Sequence, residues 1–214
     1  MPKPVKRDPP GPHGRGQART RLARRAVIDA ARALFLERGY VAGTIEAISE
    51  RADVPAPTVY RLFSSKLGIL RALLDVSIAG DDQPAAVQER PDVAALFAER
   101  DARKLIAGFV GVTTAINERT NDVYRVLVGA AGSDPAAAEL LHEIQTQRAQ
   151  GQGRIARSLS RSHALKAGLR ERDAADLIHT LMSPEVYRLL VGDRGWTPAR
   201  YQEWLAMTLV QQLT

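Results

Sequence analysis

Apolar residues recur at helical spacing through the first third of the chain. From Ala18 onward they fall on one side of a 3.6-residue repeat, with arginines mostly elsewhere: Leu22, Val27, Ile28, Ala31, Leu34 and Phe35. This pattern predicts an amphipathic helix that ends at Gly39, a residue type typical of the position after a helix. Thr44 then begins a short second helix, because its hydroxyl can accept a hydrogen bond from a free N–H group of the first turn.

The stretch VPAPTVYRLF places two prolines ahead of another helical pattern. The first turn of a helix has N–H groups without intrahelical partners, so Pro55 and Pro57 predict the start of a helix over about 55–63. Two short helices, Thr44–Arg51 and Pro55–Phe63, joined by a tight turn are typical of a helix-turn-helix motif.

The chain after Lys66 is predicted to be helical almost to its end, with helices near 66–80, 92–118, 121–131, 135–160, 172–191 and 198–212. No alternating apolar and polar run indicates a sheet, so we predict an all-α fold of about nine helices. At Ser183-Pro184 two alternatives remain open: Pro184 kinks one helix, or Ser183 caps a new helix that begins at Pro184.

Charge divides the chain unevenly. Residues 1–65 contain 12 Lys and Arg against 6 Asp and Glu, a net +6, whereas residues 66–214 contain 18 of each and are neutral. The excess favours a small anion-seeking module on a neutral body, although a solvated basic tail would give the same count. We predict a flexible basic arm at 1–17, a helix-turn-helix DNA-binding domain at 18–65 and a larger helical domain at 66–214.

Composition argues against several other classes. The sequence has no cysteine, which excludes disulfides and thiolate sites, and its four histidines (His13, His142, His163 and His179) form no metal or acid–base set by spacing. No apolar run is long enough to span a membrane and no secretory leader is evident, so a cytoplasmic protein is expected. We predict neither an enzyme nor a cofactor or metal site.

A helix that enters the major groove presents its first residues to base edges. Ala56 and the two prolines offer apolar contacts, Thr58 offers one hydrogen bond, and Arg61 can recognise guanine with two. Flanking positions are suited to phosphate oxygens. The predicted DNA-binding residues are Thr44, Pro55, Ala56, Pro57, Thr58, Tyr60, Arg61 and Lys66, together with Arg19 and Arg21 beside the arm.

The segment TIEAISERADVPAPTVYRLFSSKLGILRALL resembles the signature of the TetR family of bacterial transcriptional regulators. In that pattern Thr44 opens the second helix, Thr58-Val59-Tyr60 lie in the recognition helix, and Ser65-Lys66 leads into the fourth helix. Pro55 stands where the family usually has a small polar residue, and Pro57 lies near a position where Gly or a polar residue is frequent. The resemblance implies a homodimer built by the last two helices, a palindromic operator, and a small effector in the larger domain.

Candidate residues follow for both of these sites. Apolar residues available to a dimer interface are Leu177, Leu181, Leu189, Trp204, Leu205 and Leu209. Candidates to line a pocket for a small, largely hydrophobic effector are Phe109, Thr113, Tyr124, Leu127, Met182 and Tyr187. The hypothesis is a repressor that leaves its operator when the effector binds; the alternative is a helical interaction module regulated by a protein partner.

Overall fold

A computed structural model describes residues 12–80 and 90–214 of the chain. Within those ranges the protein is helical with short connections and contains no strand, which confirms the prediction of an all-α fold. The helices are α1 (Pro12–Ala42), α2 (Ile45–Ala52), α3 (Ala56–Phe63), α4 (Lys66–Ala79), α5 (Pro91–Leu96), α6 (Ala102–Ala131), α7 (Pro135–Arg161), α8 (Glu171–Leu181), α9 (Pro184–Tyr187) and α10 (Pro198–Leu213). The chain divides into two compact units at Leu73–Leu74, inside α4. None of the helices in the described ranges is long and apolar enough to cross a membrane.

The first helix begins earlier than its apolar pattern indicates. It starts at Pro12, so residues 12–17 of the predicted arm are helical, while residues 1–11 lie outside the described residues. Proline costs no hydrogen bond in a first turn. The helical geometry breaks at Gly39, whose φ of 78° is one that glycine adopts readily, at the position where the sequence predicts the end.

The core of the first unit joins α1 to the two short helices and the first half of α4. Its fully buried side chains come from all four helices: Val27, Phe35, Ile48, Val59, Ile69 and Leu70. On the surface Arg51 donates two hydrogen bonds to the Glu37 carboxylate, at 2.7 and 2.9 Å, which links α2 to α1. Because this pair is half exposed, we assign the packing, and not the ion pair, most of the stability.

The second unit packs around α6, with α7 and α10 against it and α8 against α7 and α10. Its core is apolar and contains Leu105, Ile106, Val110, Ile155, Ile178, Tyr201 and Leu205. The two helices predicted at 92–118 and 121–131 are not what forms. The short α5 precedes Asp101, whose carboxylate accepts from the N–H groups of Arg103 and Lys104, and α6 then continues without a break to Ala131.

The structure also decides between the alternatives at Pro184. Ser183 caps a new helix: its Oγ accepts a hydrogen bond from the N–H of Val186 at 3.2 Å, and Pro184 occupies the first helical position. The backbone continues from this single turn into a π-helical segment at Arg188–Asp193. The predicted helix at 172–191 is therefore two α-helices and a π segment.

Candidate nucleic-acid interface

Hydrogen bonds cap the start of α2 and close the turn between α2 and α3. Thr44 Oγ1 accepts from the N–H of Ala47 at 3.2 Å, as predicted for a capping residue. Asp53 adopts a left-handed conformation that ends α2. The Ser49 hydroxyl then donates to the carbonyl of Val54 at 2.6 Å, and the Val54 N–H donates to the Ser49 carbonyl. These contacts fix the direction in which α3 leaves the turn.

The two prolines begin α3 as the sequence predicts. Pro55 is its N-cap and Pro57 lies in its first turn, so neither removes a hydrogen bond that a helix would make there. Val59 and Phe63 are buried against the core of the first unit. The opposite face carries Tyr60, which is 48% exposed, and the exposed Arg61. One face of α3 thus anchors the helix and leaves the other accessible.

The structure places most of the predicted DNA-binding side chains on the surface of the first unit. Seven are exposed: Arg19, Arg21, Thr44, Pro55, Pro57, Tyr60 and Arg61. Ala56 and Thr58 are partly buried. In its hydrogen bond with Ala47 the Thr44 hydroxyl oxygen is the acceptor, so the hydroxyl proton remains available to donate to a phosphate oxygen.

Lys66 differs from the others because its ammonium group is already bound within the protein. Nζ donates to the carbonyl of Tyr40 at 2.9 Å and to that of Val41 at 3.3 Å. It also lies 4.2 Å from the centre of the Tyr40 ring, a cation–π distance. We therefore assign Lys66 a structural role at the end of α1 in place of the predicted phosphate contact.

A second arginine of α1 has a comparable role. The Arg24 guanidinium lies 4.7 Å from the centre of the Phe63 ring, and its Nη1 is 3.4 Å from the Leu62 carbonyl at the end of α3. Sequence reasoning did not single out this residue. In the sequence, the helical pattern of α1 shows only that position 24 is on the polar side. Its contacts with Leu62 and Phe63 depend on where α3 ends in space.

The predicted effector residues separate into different environments in the second unit. Phe109 and Met182 line a narrow apolar space that also touches Ile106, Ile155, Ile178, Leu209 and Leu213; we call it the α6–α10 crevice. It is too narrow to admit a water-sized sphere. Leu127 is fully buried, Thr113 is partly exposed, and Tyr187 packs edge-on against Tyr201 with ring centres 5.0 Å apart.

Tyr124 belongs to a group of polar side chains between α6, α7, α8 and α9. We call this group the polar cluster: Tyr124, Arg148, Gln152, His179 and Glu185. The Tyr124 hydroxyl donates to Glu185 Oε1 at 3.2 Å, and burial raises the pKa of this tyrosine. His179 bridges Arg148 and Gln152. Sequence analysis did not identify the cluster, although Arg148 and Gln152 share a face of α7 at i,i+4.

The predicted dimer residues are also divided. Leu205 and Leu209 are buried inside the protomer, so they are not available to contact a second copy of the chain as predicted. Leu177, Leu181 and Trp204 are partly buried against the core, and Leu189 is 48% exposed. One residue that the sequence did not indicate, Met207, is 61% exposed, one turn from Trp204 on α10.

An all-helical chain with an exposed recognition helix after a tight turn is a helix-turn-helix protein. Residues 27–73 match the family model described as bacterial regulatory proteins, tetR family. The first unit therefore contains the N-terminal domain of the TetR family of bacterial transcriptional regulators, and these matches support a regulator of this family. A second model, described as SPOR domain, matches residues 92–158, which here form α5, α6 and most of α7.

Proteins that are similar to this chain include one identified by sequence and two by fold. The HTH-type transcriptional regulator YdeS of Bacillus subtilis, described as uncharacterized, is 27% identical over 179 residues, 83% of each chain. FadR from Bacillus subtilis, solved in complex with stearoyl-CoA, is similar in fold with a TM-score of 0.65 and 20% identity over 86% of this chain and 96% of FadR. NalD, the secondary repressor of the MexAB-OprM multidrug efflux pump in Pseudomonas aeruginosa, has a TM-score of 0.66 and 20% identity over 90% of this chain and 96% of NalD.

Proposed function

We propose that the protein is a ligand-responsive repressor that binds a palindromic operator as a homodimer and leaves it when a small molecule enters the second unit. The observation that carries this proposal is the exposed face of α3, with Tyr60 and Arg61 accessible and Val59 and Phe63 anchored. A relative of the same fold, NalD, is described as a repressor, and another, FadR, binds stearoyl-CoA.

The first unit supplies the DNA contacts of this proposal. Pro55, Ala56 and Pro57 give the start of α3 an apolar edge suited to thymine methyl groups, while Thr58 and Arg61 provide the polar base contacts. Thr44, Tyr60, Arg19 and Arg21 contact phosphate oxygens around it. The basic residues of 1–11 would add contacts whose strength falls with salt.

A test of sequence-specific binding decides the DNA-binding part of the proposal. Labelled fragments from around the protein's own gene are compared with random DNA of the same length over a range of salt concentrations. We expect one fragment to be preferred and its affinity to fall steeply with salt, because phosphate contacts release counterions. Equal affinity for all fragments would exclude a repressor of this gene region.

Arg61→Ala tests direct base recognition. Loss of a bidentate guanine contact should cost ~1–3 kcal/mol at one operator position and relax the preference there. Binding to a set of operators with single base substitutions measures this change. Arg103→Ala, an exposed arginine of α6, is the control and should leave every affinity unchanged. A loss that is equal at all positions would mean that Arg61 contacts phosphate.

The proposed dimer surface lies on the exposed side of α10 and the π segment before it. Trp204, Met207 and Val210 follow one another at three-residue spacing on α10, and Leu189 is exposed nearby in sequence. A twofold dimer would repeat the recognition helix along the DNA, which explains a palindromic operator.

Met207→Glu should dissociate the dimer, because it places an unpaired charge in an apolar interface. Sedimentation velocity of the wild-type chain should show a dimer and that of Met207→Glu a monomer at the same concentration. Gln212→Glu adds the same charge at another exposed position of α10 and should remain dimeric. A dimeric Met207→Glu chain would place the interface elsewhere.

The response to an effector would pass from α6 to α4. Arg119 on α6 donates from Nε to the Ser77 carbonyl at 3.1 Å and from Nη2 to the Ile78 carbonyl at 3.0 Å, which fixes the C-terminal end of α4. Ile106 and Phe109 of the same helix line the α6–α10 crevice. An effector that separates these helices would shift the population of two dimer states through α4, whose N-terminal end follows the recognition helix.

A further inference from the structure

The polar cluster has a defined proton arrangement. Arginine only donates hydrogen bonds, so His179 Nε2 must accept from Arg148 Nη2, which lies 3.1 Å away. The His179 proton is then on Nδ1, which donates to Gln152 Oε1 at 2.9 Å. The ring is therefore neutral in this arrangement. Burial and then the charge of Arg148 lower the pKa of His179, which agrees with a neutral ring.

One of the two terminal nitrogens of Arg148, Nη1, has no hydrogen-bond acceptor in this arrangement. This nitrogen is buried, and Glu185 Oε2 lies 4.0 Å away, at the limit of an ion pair and beyond hydrogen-bond distance. The other oxygen of Glu185 already accepts from Tyr124, and the Glu185 side chain is 51% exposed against 20% for Arg148. A mostly buried cation with a buried, unused donor atom is costly unless an acceptor completes its hydrogen bonds. The Glu185 carboxylate does not do so from its place near the surface.

The polar cluster and the α6–α10 crevice share the helices α7 and α8. On α7, Gln152 of the cluster is one turn from Ile155 of the α6–α10 crevice, and on α8 His179 is next to Ile178 and one turn from Met182. A molecule between these helices would thus meet a guanidinium at one end and apolar side chains at the other.

We propose that the polar cluster is the recognition site for the carboxylate of an amphipathic organic acid, with Arg148 Nη1 as its donor. The proposal rests on the function proposed above and adds the chemical class of the effector. A carboxylate matches the planar guanidinium fork and compensates its charge, whereas a neutral carbonyl would supply only the hydrogen bond. When the acid binds, its carboxylate replaces the half-exposed Glu185 carboxylate beside Arg148, and the Glu185 side chain turns toward solvent. The apolar tail of the acid then separates the helices that close the α6–α10 crevice.

The experiment compares acids with neutral molecules of the same shape. Octanoate, decanoate, benzoate and salicylate are each paired with the corresponding primary amide, and binding to the full chain is measured by calorimetry. At least one acid should bind wild type about tenfold or more tightly than its amide, as expected for a charge-assisted pair. This difference should fall to less than about twofold in Arg148→Gln.

Matched variants separate recognition from folding. Arg161→Gln removes an exposed arginine of the same helix and should retain the full preference for the acid. Arg148→Lys retains the charge without the fork and should show an intermediate preference. If Arg148→Gln does not fold, which circular dichroism reports, the comparison of Arg148→Lys with wild type decides in its place.

His179 gives a second readout that a purely structural Arg148 would not produce. A bound carboxylate offsets the charge that lowers the pKa of this ring, so the pKa should rise when the acid binds and stay unchanged with the amide. NMR titration of the His179 ring signals, assigned by their loss in His179→Phe, measures the shift.

Two results would overturn the proposal: every acid binds no better than its amide, or none of the four acids binds. Either result leaves the proposed function standing if the protein still selects an operator and a neutral ligand releases it. Conversely, tight acid binding in a chain that selects no operator would support the site and contradict the repressor.

Discussion

Gly68→Ala is expected to unfold the DNA-binding unit under conditions in which the second unit remains folded. A Cβ at this position would lie 2.0 Å from the carbonyl oxygen of Phe63 and 3.1 Å from its carbonyl carbon. Both are backbone atoms, so no side-chain rotation can relieve the overlap. We expect a loss of about 3 kcal/mol, the upper end of the usual range for overpacking.

The close approach follows from how α3 ends and α4 begins. Ser64 has a φ of +65° and turns the chain back, and the Ser65 N–H donates to the Phe63 carbonyl at 2.7 Å. Ser65 Oγ then accepts from the Gly68 N–H at 3.0 Å, which caps α4. The turn that directs the recognition helix into α4 therefore has room only for a glycine at position 68.

The chain allows the two units to be followed separately. Its two tryptophans, Trp196 and Trp204, both lie in the second unit, whereas circular dichroism reports the helices of both units. In urea, Gly68→Ala should show an early loss of helical signal with an unchanged tryptophan transition. Operator binding should be lost with the first transition.

Gly153→Ala is the matched control. Gly153 lies inside α7 and a Cβ there would meet nothing within 4 Å, so the same substitution should stabilise the helix by ~0.5–1 kcal/mol. If Gly68→Ala unfolded at the wild-type urea concentration, the turn would have to be more adaptable than its geometry indicates.

Lys66→Met is expected to destabilise the DNA-binding unit by about 2–3 kcal/mol. The substitution keeps the apolar stem but removes the donor that binds the Tyr40 and Val41 carbonyls, and hydrogen bonds to charged groups contribute ~1.5–3 kcal/mol. The cation–π contact with Tyr40 is lost as well. The early helical transition in urea measures this change.

Salt dependence distinguishes this structural role from a phosphate contact. If Lys66 held a phosphate, its loss would reduce the slope of log affinity against log salt by about 1. We expect an unchanged slope for the folded Lys66→Met protein. Lys104→Met, an exposed lysine of α6, should change stability by less than ~0.5 kcal/mol. A reduced slope with wild-type stability would restore the original prediction for Lys66.

The recognition module was predictable because its signals are local. Thr44 caps α2 through an oxygen three residues from the N–H it binds, and the prolines of α3 act within the turn that contains them. Such contacts require no knowledge of distant residues. The same holds for Gly39, where a left-handed conformation follows the last helical turn.

The long helix α6 shows where local signals mislead. The sequence predicts a break at 119–120, but α6 continues through it. Two residues of low helix propensity beside this point, Asn117 and Thr120, are both buried within the second unit. The Thr120 hydroxyl donates to the Ile116 carbonyl at 2.8 Å, so the helix itself satisfies it. Burial against neighbouring helices outweighed the small propensity cost at these positions.

The sequence by itself determined the all-α class, the helix-turn-helix and its accessible face, because helical periodicity and capping depend only on residues a few positions apart. Only the tertiary structure decided that Lys66 is engaged at the end of α1, that Leu205 and Leu209 face inward, and that Arg148 contacts His179. Such outcomes depend on residues far apart in the chain meeting in space: Lys66 and Tyr40 are 26 positions apart, and Arg148 and His179 are 31 apart. Periodicity identifies the apolar side of a helix, but which neighbour covers that side, and what a polar group meets there, is set by the packing of the whole unit.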